Sequence, residues 1–385
     1  MNKSLIIGLV AALGCVNGLA QAELVTTHAQ SCPKVPDKIG FAGMAAGLIP
    51  ARGATSDYIL FVGGANFPFA QPDAKTAEER GAKVFHKQVG MMSVASSCSG
   101  CSMAPAWVGN LPYGIGYCAF VTTNKALIIA GGANEKGHTD KVNQLWVEGG
   151  SLRIEALPEL PITLAYPAFA KIDSKFYVFG GQEKDTDTTC TGASFVLDLD
   201  ETAKGWQKLP DMPSPRMLAG AAVHKGYIYI MGGCSLAPDA KGAGERTYLK
   251  DVLIYDPDTK TWGVDKVPAM PETMVASPNP FPVVDGKAYV LGGDPGNYYR
   301  ASIAGNPPAD HPGQSNTVYT YNFAERTWAT EGTTPLGVAT APAVQTGKTS
   351  PASIMIISGE THPGVRTPGI GTMEVHEDPA PQPAE

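Results

Sequence analysis

The chain has 385 residues, of which 43% are hydrophobic, and it contains 44 glycines and 32 prolines. This composition favours many short strands joined by turns over long helices, and it excludes a largely disordered chain. The formal net charge of −7, without a long basic run, argues against nucleic acid as a partner.

The first 22 residues have the pattern of a secretory signal peptide. Lys3 precedes an apolar run over 5–13, and Ala20-Gln21-Ala22 supplies the small residues of a cleavage site. The apolar run is too short to span a bilayer. We therefore expect export to the periplasm of a Gram-negative cell, a signal peptide over 1–22 and no membrane span. An ordinary buried N-terminal segment and a lipoprotein site at Cys15 are the alternatives.

Cysteines remain in an even number after the predicted cleavage, which favours disulfide bonds in an exported chain. They are Cys32, Cys98, Cys101, Cys118, Cys190 and Cys234. Cys98 and Cys101 form a C-x-x-C motif, which is compatible with a redox pair, half of a metal site or a small structural loop. The structural loop is favoured, because the motif has no βαβ setting and no further ligands close by.

A short apolar run that ends in a glycine pair recurs along the chain. The pairs are Gly63-Gly64, Gly131-Gly132, Gly180-Gly181, Gly232-Gly233, Gly292-Gly293 and, with serine in the first place, Ser358-Gly359. A strand-rich period of roughly 50 residues with a glycine pair is typical of the kelch form of the β-propeller, which has four antiparallel strands in each blade. The copies therefore predict one domain of six blades over residues 23–376.

Each copy also supplies the other strands of a blade. Segments rich in glycine and alanine precede the apolar runs and are predicted to be the innermost strands, since large side chains would collide near the central channel. These segments are 41–49, 113–121, 164–170, 217–223, 274–283 and 337–344. Tryptophans near the ends of the outer strands are expected to pack between blades rather than to stack on a ligand. They are Trp107, Trp206, Trp262 and Trp328.

The last copy lacks an outermost strand, because only a proline-rich tail follows residues 372–375. Leu24-Val25-Thr26-Thr27 lies before the first blade, and its pairing with the last blade would close the ring and cover exposed strand edges. We therefore predict an all-β, six-bladed kelch-type β-propeller closed by an N-terminal strand. Residues 377–385 are expected to form a disordered tail.

Polar residues gather in the loops after the glycine pairs and in the loops that enter the innermost strands, which share one face of a propeller. Glu360 and Arg366 are the leading candidates, because a carboxylate and a guanidinium follow the last glycine pair. Further candidates for contact with a ligand are Asn66, Arg216, Tyr298 and Arg300. The sequence has no nucleophile elbow, no zinc-protease motif and no phosphate-binding glycine loop.

One segment is similar to a known family. Gly359-Glu360-Thr361-His362-Pro363-Gly364-Val365-Arg366-Thr367 resembles the Gly-Glu-x-x-Pro-Gly-x-Arg-Thr segment of bacterial N-acetylneuraminate (sialic acid) mutarotases, which are exported six-bladed kelch proteins. Residues 41–43 and 63–68 are similar to the start and the glycine loop of another blade in that family. The Gly-Glu blade is the last one here, so the chain resembles a cyclically permuted member. A ring of blades tolerates this, because each blade contacts only its neighbours.

The resemblance implies that Glu360 is the acid–base residue of an isomerase and that Arg366 binds near it, without a metal or cofactor. A carboxylate can take the proton of an anomeric hydroxyl and protonate the ring oxygen. A guanidinium can bind a substrate carboxylate with two parallel hydrogen bonds. The expected partner is a small sugar acid, and a homodimer is compatible with the sequence.

Other interpretations stay open at this point. Glu360 and Arg366 can equally form a structural ion pair that braces their loop. A non-catalytic kelch module that binds a glycan or a protein would use the same face, because the fold hosts both functions. A sialidase is disfavoured, since residues 256–262 lack the serine and glycine of the Ser-x-Asp-x-Gly-x-Thr-Trp box.

Overall fold

The computed structural model describes residues 33–50, 56–69, 77–94, 104–263, 265–297, 311–349 and 351–376, together with the backbone of the strand Glu23–Val25. Several predicted features lie outside these residues. They are the signal peptide, Cys32, the C-x-x-C motif, Tyr298, Arg300 and the tail over 377–385.

Six four-stranded antiparallel sheets form the blades of the predicted propeller, which is thereby confirmed. From the channel outward, blade 1 consists of Ala45–Ile49, Tyr58–Val62, Gln88–Ser93 and Ala106–Asn110. Blade 2 consists of Ala119–Thr122, Leu127–Ala130, Val142–Glu148 and Ser151–Leu157. Blade 3 consists of Ala168–Ile172, Lys175–Phe179, Ser194–Asp198 and Gln207–Leu209. Blade 4 consists of Gly220–His224, Tyr227–Met231, Val252–Asp256 and Thr261–Trp262. Blade 5 consists of Val283–Val284, Lys287–Gly293, Ser315–Asn322 and Thr327–Thr333. Blade 6 consists of Ala343–Gln345, Ala352–Ile357, Ile370–His376 and Glu23–Val25.

Smaller elements decorate the loops that follow the glycine pairs. Four two-stranded hairpins are formed by Ala65–Asn66 with Val84–Phe85, Ala133–Asn134 with Gly137–His138, Cys234–Pro238 with Gly244–Tyr248, and Glu360–His362 with Val365–Arg366. Among the described residues, the helices are a single turn over Ala77–Arg80 and a 3₁₀ turn over Thr202–Lys204. In the described part of the chain, no helix is both long enough and apolar enough to cross a membrane.

The predicted innermost strands begin too early, because the first residues of each segment form an entering loop instead of a strand. One residue in each of these loops has a left-handed backbone, with φ between 54° and 71°. These residues are Gly43, Tyr117, Tyr166, Leu218, Ala276 and Thr340. The N–H of each donates to the carbonyl of its counterpart in the neighbouring blade at 2.6 to 3.0 Å, and the bond from Gly43 to Thr340 closes the circle. This pairing offsets the strain that left-handed geometry imposes on the non-glycine residues.

The four tryptophans pack between blades, as predicted. Their indole N–H groups donate to the carbonyls of prolines in the segments that precede each blade, at 2.8 to 3.0 Å. The pairs are Trp107 with Pro36, Trp206 with Pro158, Trp262 with Pro210 and Trp328 with Pro268. Each tryptophan thereby satisfies its donor while its ring fills the space between sheets.

The N-terminal strand closes the ring, which confirms the predicted closure. Glu23 lies opposite His376 and Val25 lies opposite Glu374, so the strand begins one residue earlier than predicted. A second contact joins the last blade to the first: Ser358 Oγ accepts a hydrogen bond from the Phe41 N–H at 2.8 Å. The two ends of the domain are therefore held together at both the outer edge and the channel side.

Candidate functional site

The central channel contains three cavities in succession. The upper cavity, of about 280 Å³, opens on the face that carries the loops after the glycine pairs. Tyr117 and Tyr166, with ring centroids 4.9 Å apart, separate it from a middle cavity of about 70 Å³. Phe120 and Phe169, 4.6 Å apart, separate the middle cavity from a lower one of about 780 Å³ at the opposite end. We refer to the first and last as the upper pocket and the lower cavity.

Two carboxylates occupy equivalent positions at the upper pocket. In every blade the residue directly after the glycine pair forms an antiparallel bridge with the residue before the left-handed position. In blade 5 this residue is Asp294, bridged to Val275, and in blade 6 it is Glu360, bridged to Ala339. The backbone therefore fixes both carboxylates at the channel mouth, one blade apart.

Glu360 forms an ion pair with Arg366. The hairpin places the two residues directly opposite each other, and Arg366 Nη1 lies 2.7 Å from Glu360 Oε2. The guanidinium carbon also lies 5.0 Å from the centroid of the Phe67 ring. The Arg366 side chain is only 3% exposed, whereas the Glu360 side chain is 20% exposed. Arg366 thus holds Glu360 in place, and the carboxylate is the more accessible member of the pair.

Two buried polar atoms in the wall of the upper pocket lack a hydrogen-bond partner among the described residues. They are Arg366 Nη1, which contacts Glu360 as an ion pair at 2.7 Å, and Gln314 Oε1. Buried polar groups without partners are rare in native proteins, because each costs about 1–3 kcal/mol. Both atoms are buried beneath the surface of the pocket, and Arg366 Nη1 keeps its charge contact with Glu360.

The upper pocket carries a positive charge although the whole chain is negative. Its walls contain four cationic side chains and two carboxylates, a net charge of +2, compared with −7 for the chain. The cations are Arg80, Lys83, Arg246 and Arg366. Lys83 is exposed, and Arg80 and Arg246 are half-buried, so these three are more accessible than Arg366. A pocket of this kind favours an anionic ligand.

Tyr248 supports the second carboxylate. Its hydroxyl donates to Asp294 Oδ2 at 2.5 Å. Burial raises the pKa of Tyr248, and the neighbouring Asp294 raises it further. Burial likewise raises the pKa of Tyr166. Both phenols are therefore neutral donors at physiological pH.

The structure brings only part of the predicted site together. Glu360 and Arg366 line the upper pocket, and Tyr298 and Arg300 lie outside the described residues. Asn66 is 1% exposed and does not line the pocket, because its amide donates to the Gly40 carbonyl and its oxygen lies 2.7 Å from His86 Nε2.

The predicted rim position of Arg216 needs correction. The residue is fully buried between blades 3 and 4, where its guanidinium makes two hydrogen bonds to Asp251, at 2.7 and 3.1 Å. It also donates to the backbone carbonyls of Ser214 and Gly232. The entering loop turns this side chain inward, so its role in the structure is to join loops.

Sequence reasoning missed several residues of the pocket. Asp294 follows a glycine pair in the same way as Glu360, and this equivalence was visible in the repeat. Arg80 and Arg246 gave no comparable signal, since one lies in a helical turn within a long loop and the other in an inserted hairpin. Their convergence depends on the closed ring.

The described part of the chain contains no cluster of metal-ligating side chains and no cysteine with a lowered pKa. No group of three histidine, cysteine, aspartate or glutamate side chains there is placed to hold a metal ion. Cys118, Cys190 and Cys234 are free, and burial raises the pKa of Cys118 and Cys234 to about 12. The sequence favoured disulfides among all six cysteines, but these three form none in the structure, and Cys32, Cys98 and Cys101 lie outside the described residues.

Comparisons with known proteins connect this geometry to a family. Residues 116–359 match the family model of the KLHDC2/KLHL20/DRC7 Kelch-repeats domain. The chain is 27% identical over 237 residues to an N-acetylneuraminate epimerase of Yersinia enterocolitica, covering 56% of this chain and 57% of that protein. It is 27% identical over 244 residues to N-acetylneuraminate epimerase 1 of Escherichia coli, covering 58% and 61%.

A relative of another kind matches at similar identity. The chain is 28% identical over 177 residues to the Kelch repeat and BTB domain-containing protein 12 of Danio rerio, covering 44% of this chain and 27% of that protein. The match to the two epimerases spans about three fifths of their length. The repeat pattern, the six blades and the family match together show that the chain belongs to the kelch-repeat domain family.

Proposed function

We propose that the protein is an isomerase that interconverts the α and β anomers of N-acetylneuraminate or a closely related sugar acid. The observation that carries this proposal is Glu360, held by Arg366 at the mouth of a positively charged pocket. The epimerase names of the two bacterial relatives support the same substrate class. The predicted signal peptide adds the periplasm as the proposed location.

The size and charge of the upper pocket fit one acidic monosaccharide. Its volume of about 280 Å³ is near the lower limit of roughly 300 Å³ for small-molecule sites, so a single sugar ring suits it better than a longer glycan. Arg80, Lys83 and Arg246 are accessible cations for the substrate carboxylate. The rings of Tyr117 and Tyr166 offer an apolar floor for the sugar ring.

The reaction needs only proton transfers. Glu360 accepts the proton of the anomeric hydroxyl and delivers it to the ring oxygen as the bond between the anomeric carbon and the ring oxygen breaks. Rotation of the resulting ketone exposes its other face to the hydroxyl that attacks it. In reclosure Glu360 takes the proton of the attacking hydroxyl and returns it to the new anomeric oxygen, so atoms and charges balance without a further reactant. A positioned carboxylate contributes roughly 10²–10⁴-fold to such transfers.

Arg366 acts as a positioning residue in this scheme. Its side chain is almost buried and already engages Glu360 and Phe67, so it reaches the ligand only through an edge of the guanidinium. The ion pair keeps the Glu360 carboxylate in one orientation. A structural ion pair with Arg366 and a catalytic role for Glu360 are therefore compatible, although the sequence analysis treated them as alternatives.

A binding module without catalysis is the second candidate. The match to a Kelch repeat and BTB domain-containing protein, at an identity close to that of the epimerases, favours keeping it. A binding module would use the same pocket for recognition and leave the anomeric equilibrium untouched.

The test follows the anomers by proton NMR after a sialidase releases α-N-acetylneuraminate. The wild-type protein should convert α to β faster than buffer does. Glu360→Gln should lower kcat by roughly 10²-fold or more with little change in KM, because the amide keeps the size of the side chain but not its basicity.

Glu183→Gln is the matched control, since Glu183 lies in the corresponding loop of blade 3 but does not line the upper pocket. It should retain the wild-type rate. Conversion by wild-type protein at the rate of buffer would favour the binding module. A folded Glu360→Gln protein with full activity would remove Glu360 from the mechanism.

A further inference from the structure

The lower cavity is the larger opening of the channel and lies outside the proposed reaction. Its volume is about 780 Å³, and it lies where the innermost strands end and turn into the second strands. The two layers of Tyr117 with Tyr166 and Phe120 with Phe169 separate it from the upper pocket. A ligand in the lower cavity would therefore not contact Glu360.

Three buried phenylalanines form the inner wall of the lower cavity. Phe120, Phe169 and Phe281 are exposed by only 4–6%, and each presents part of its ring to the cavity. Phe281 can approach closely because Gly220 has no side chain, since a Cβ there would lie 2.0 Å from the ring. An apolar body at this depth would displace water from aromatic surface, which is favourable.

The rim of the lower cavity is positive. Its charged residues are Lys171, Lys225 and Lys348, one from each of blades 3, 4 and 6, and no carboxylate lines the described wall. His224, which also lines it, stacks on Phe323 at 4.1 Å, and burial lowers its pKa. The cavity wall is therefore positively charged, whereas the whole chain has a net charge of −7.

Among the described residues, Lys171 has no direct ion pair, although the more distant carboxylates of Asp173 and Asp200 act on its charge. It is half-buried, and in the described part of the chain none of the three lysines has a carboxylate within salt-bridge distance. Burial lowers the pKa of Lys171, Asp173 opposes this effect, and the nearby Lys348 adds to it. Two ammonium groups that repel each other beside an apolar cavity would both be stabilised by one anion between them.

We propose that the lower cavity binds an amphipathic organic anion, with its acidic head between Lys171 and Lys348 and its apolar body against the three phenylalanines. The volume lies within the range of roughly 300–1,000 Å³ typical of small-molecule sites. A head group of one negative charge, carboxylate or sulfonate, suits two flexible ammonium groups. This site is separate from the upper pocket, so the proposal does not depend on which reaction occurs in the upper pocket.

The first experiment uses 8-anilinonaphthalene-1-sulfonate, a fluorescent anion with an apolar body, and the folded protein. One saturable site is expected. The double variant Lys171→Gln/Lys348→Gln should raise Kd about tenfold or more, because charge-assisted contacts are lost. Lys175→Gln is the control: it removes one lysine charge from the hairpin that carries Lys171, does not line the cavity, and should leave Kd unchanged. Equal Kd values for the double variant and the wild type would overturn the proposal.

The second experiment needs only the wild-type protein. Decanoate should displace the probe, whereas decan-1-ol, which has the same chain without the charge, should displace it at least tenfold less well. N-acetylneuraminate should not displace it, because the upper pocket is separate. Absence of saturable probe binding, equal displacement by the acid and the alcohol, or displacement by N-acetylneuraminate would each refute the lower site. None of these results bears on whether Glu360 catalyses mutarotation.

Discussion

Arg216 and Arg246 permit a sharp test of the site, because one arginine is buried away from the upper pocket and the other lines it. Arg216→Met removes the donors to the Ser214 and Gly232 carbonyls and the ion pair to Asp251. Each buried carbonyl left without a donor costs about 1–3 kcal/mol. Asp251 is half-exposed and regains water, so its own loss is small. The free energy of unfolding should therefore fall by about 3 kcal/mol.

The corresponding change in Tm follows from the size of the protein. Unfolding entropy is about 2.1 cal/mol/K per residue, so a chain of 385 residues loses about 4 °C of Tm for 3 kcal/mol. KM and kcat of the folded variant should stay close to wild type. Arg246→Met should behave in the opposite way, with Tm within about 1 °C and KM raised about tenfold, because a half-exposed charge-assisted contact is lost.

Differential scanning calorimetry and the NMR assay of anomer conversion measure the two effects on the same preparations. An Arg216→Met protein with unchanged Tm and a raised KM would refute the placement of Arg216 as a buried connector. An Arg246→Met protein with unchanged KM for the acid would remove Arg246 from the recognition of the substrate carboxylate.

Three further predictions follow from other parts of the structure. Deletion of residues 23–25 should lower Tm by several degrees in a calorimetric scan, since blade 6 loses its outermost strand, and an unchanged Tm would mean that the ring closes without it. Tyr248→Phe should lower kcat/KM about tenfold in the NMR assay, because Asp294 loses a neutral donor in the pocket, and full activity would separate Asp294 from the reaction. Burial lowers the pKa of His86 and His138, so the unfolded chain binds more protons below about pH 6.5 and the free energy of unfolding should fall from pH 7 to pH 5. His138→Gln should reduce that slope by up to about 1.4 kcal/mol per pH unit in denaturant titrations, and equal slopes would contradict the assignment.

The repeat made most of the fold predictable. Each glycine pair follows a run of apolar residues, and the second strands of the blades lie at these runs in the structure. The missing outermost strand of the last blade likewise predicted the pairing of the N-terminus, because an incomplete sheet leaves unpaired edge groups. The first feature can be read from a short stretch of sequence, and the second follows from counting the strands available to the last blade.

The innermost strands show where local reasoning fails. Segments 41–49 and 113–121 have strand-like composition throughout, yet their first residues form loops with left-handed Gly43 and Tyr117. The backbone partners that impose this geometry lie in neighbouring blades: Tyr117 bonds to Gly43, more than 70 residues earlier, and Gly43 bonds to Thr340 near the other end of the domain. A short stretch of sequence therefore cannot reveal these hydrogen-bond partners.

The same limit applies to the candidate site. The sequence by itself determined that Glu360 and Arg366 stand in the loop after the last glycine pair, whereas the hairpin that sets them opposite each other was visible only in the structure. Only the tertiary structure decided that Arg216 points inward to Asp251, and that Asp294 joins Glu360 at one pocket. Whether a polar side chain in a loop is buried or open to a ligand depends on which residues the neighbouring blade places against it, and those contacts exist only once the ring has closed.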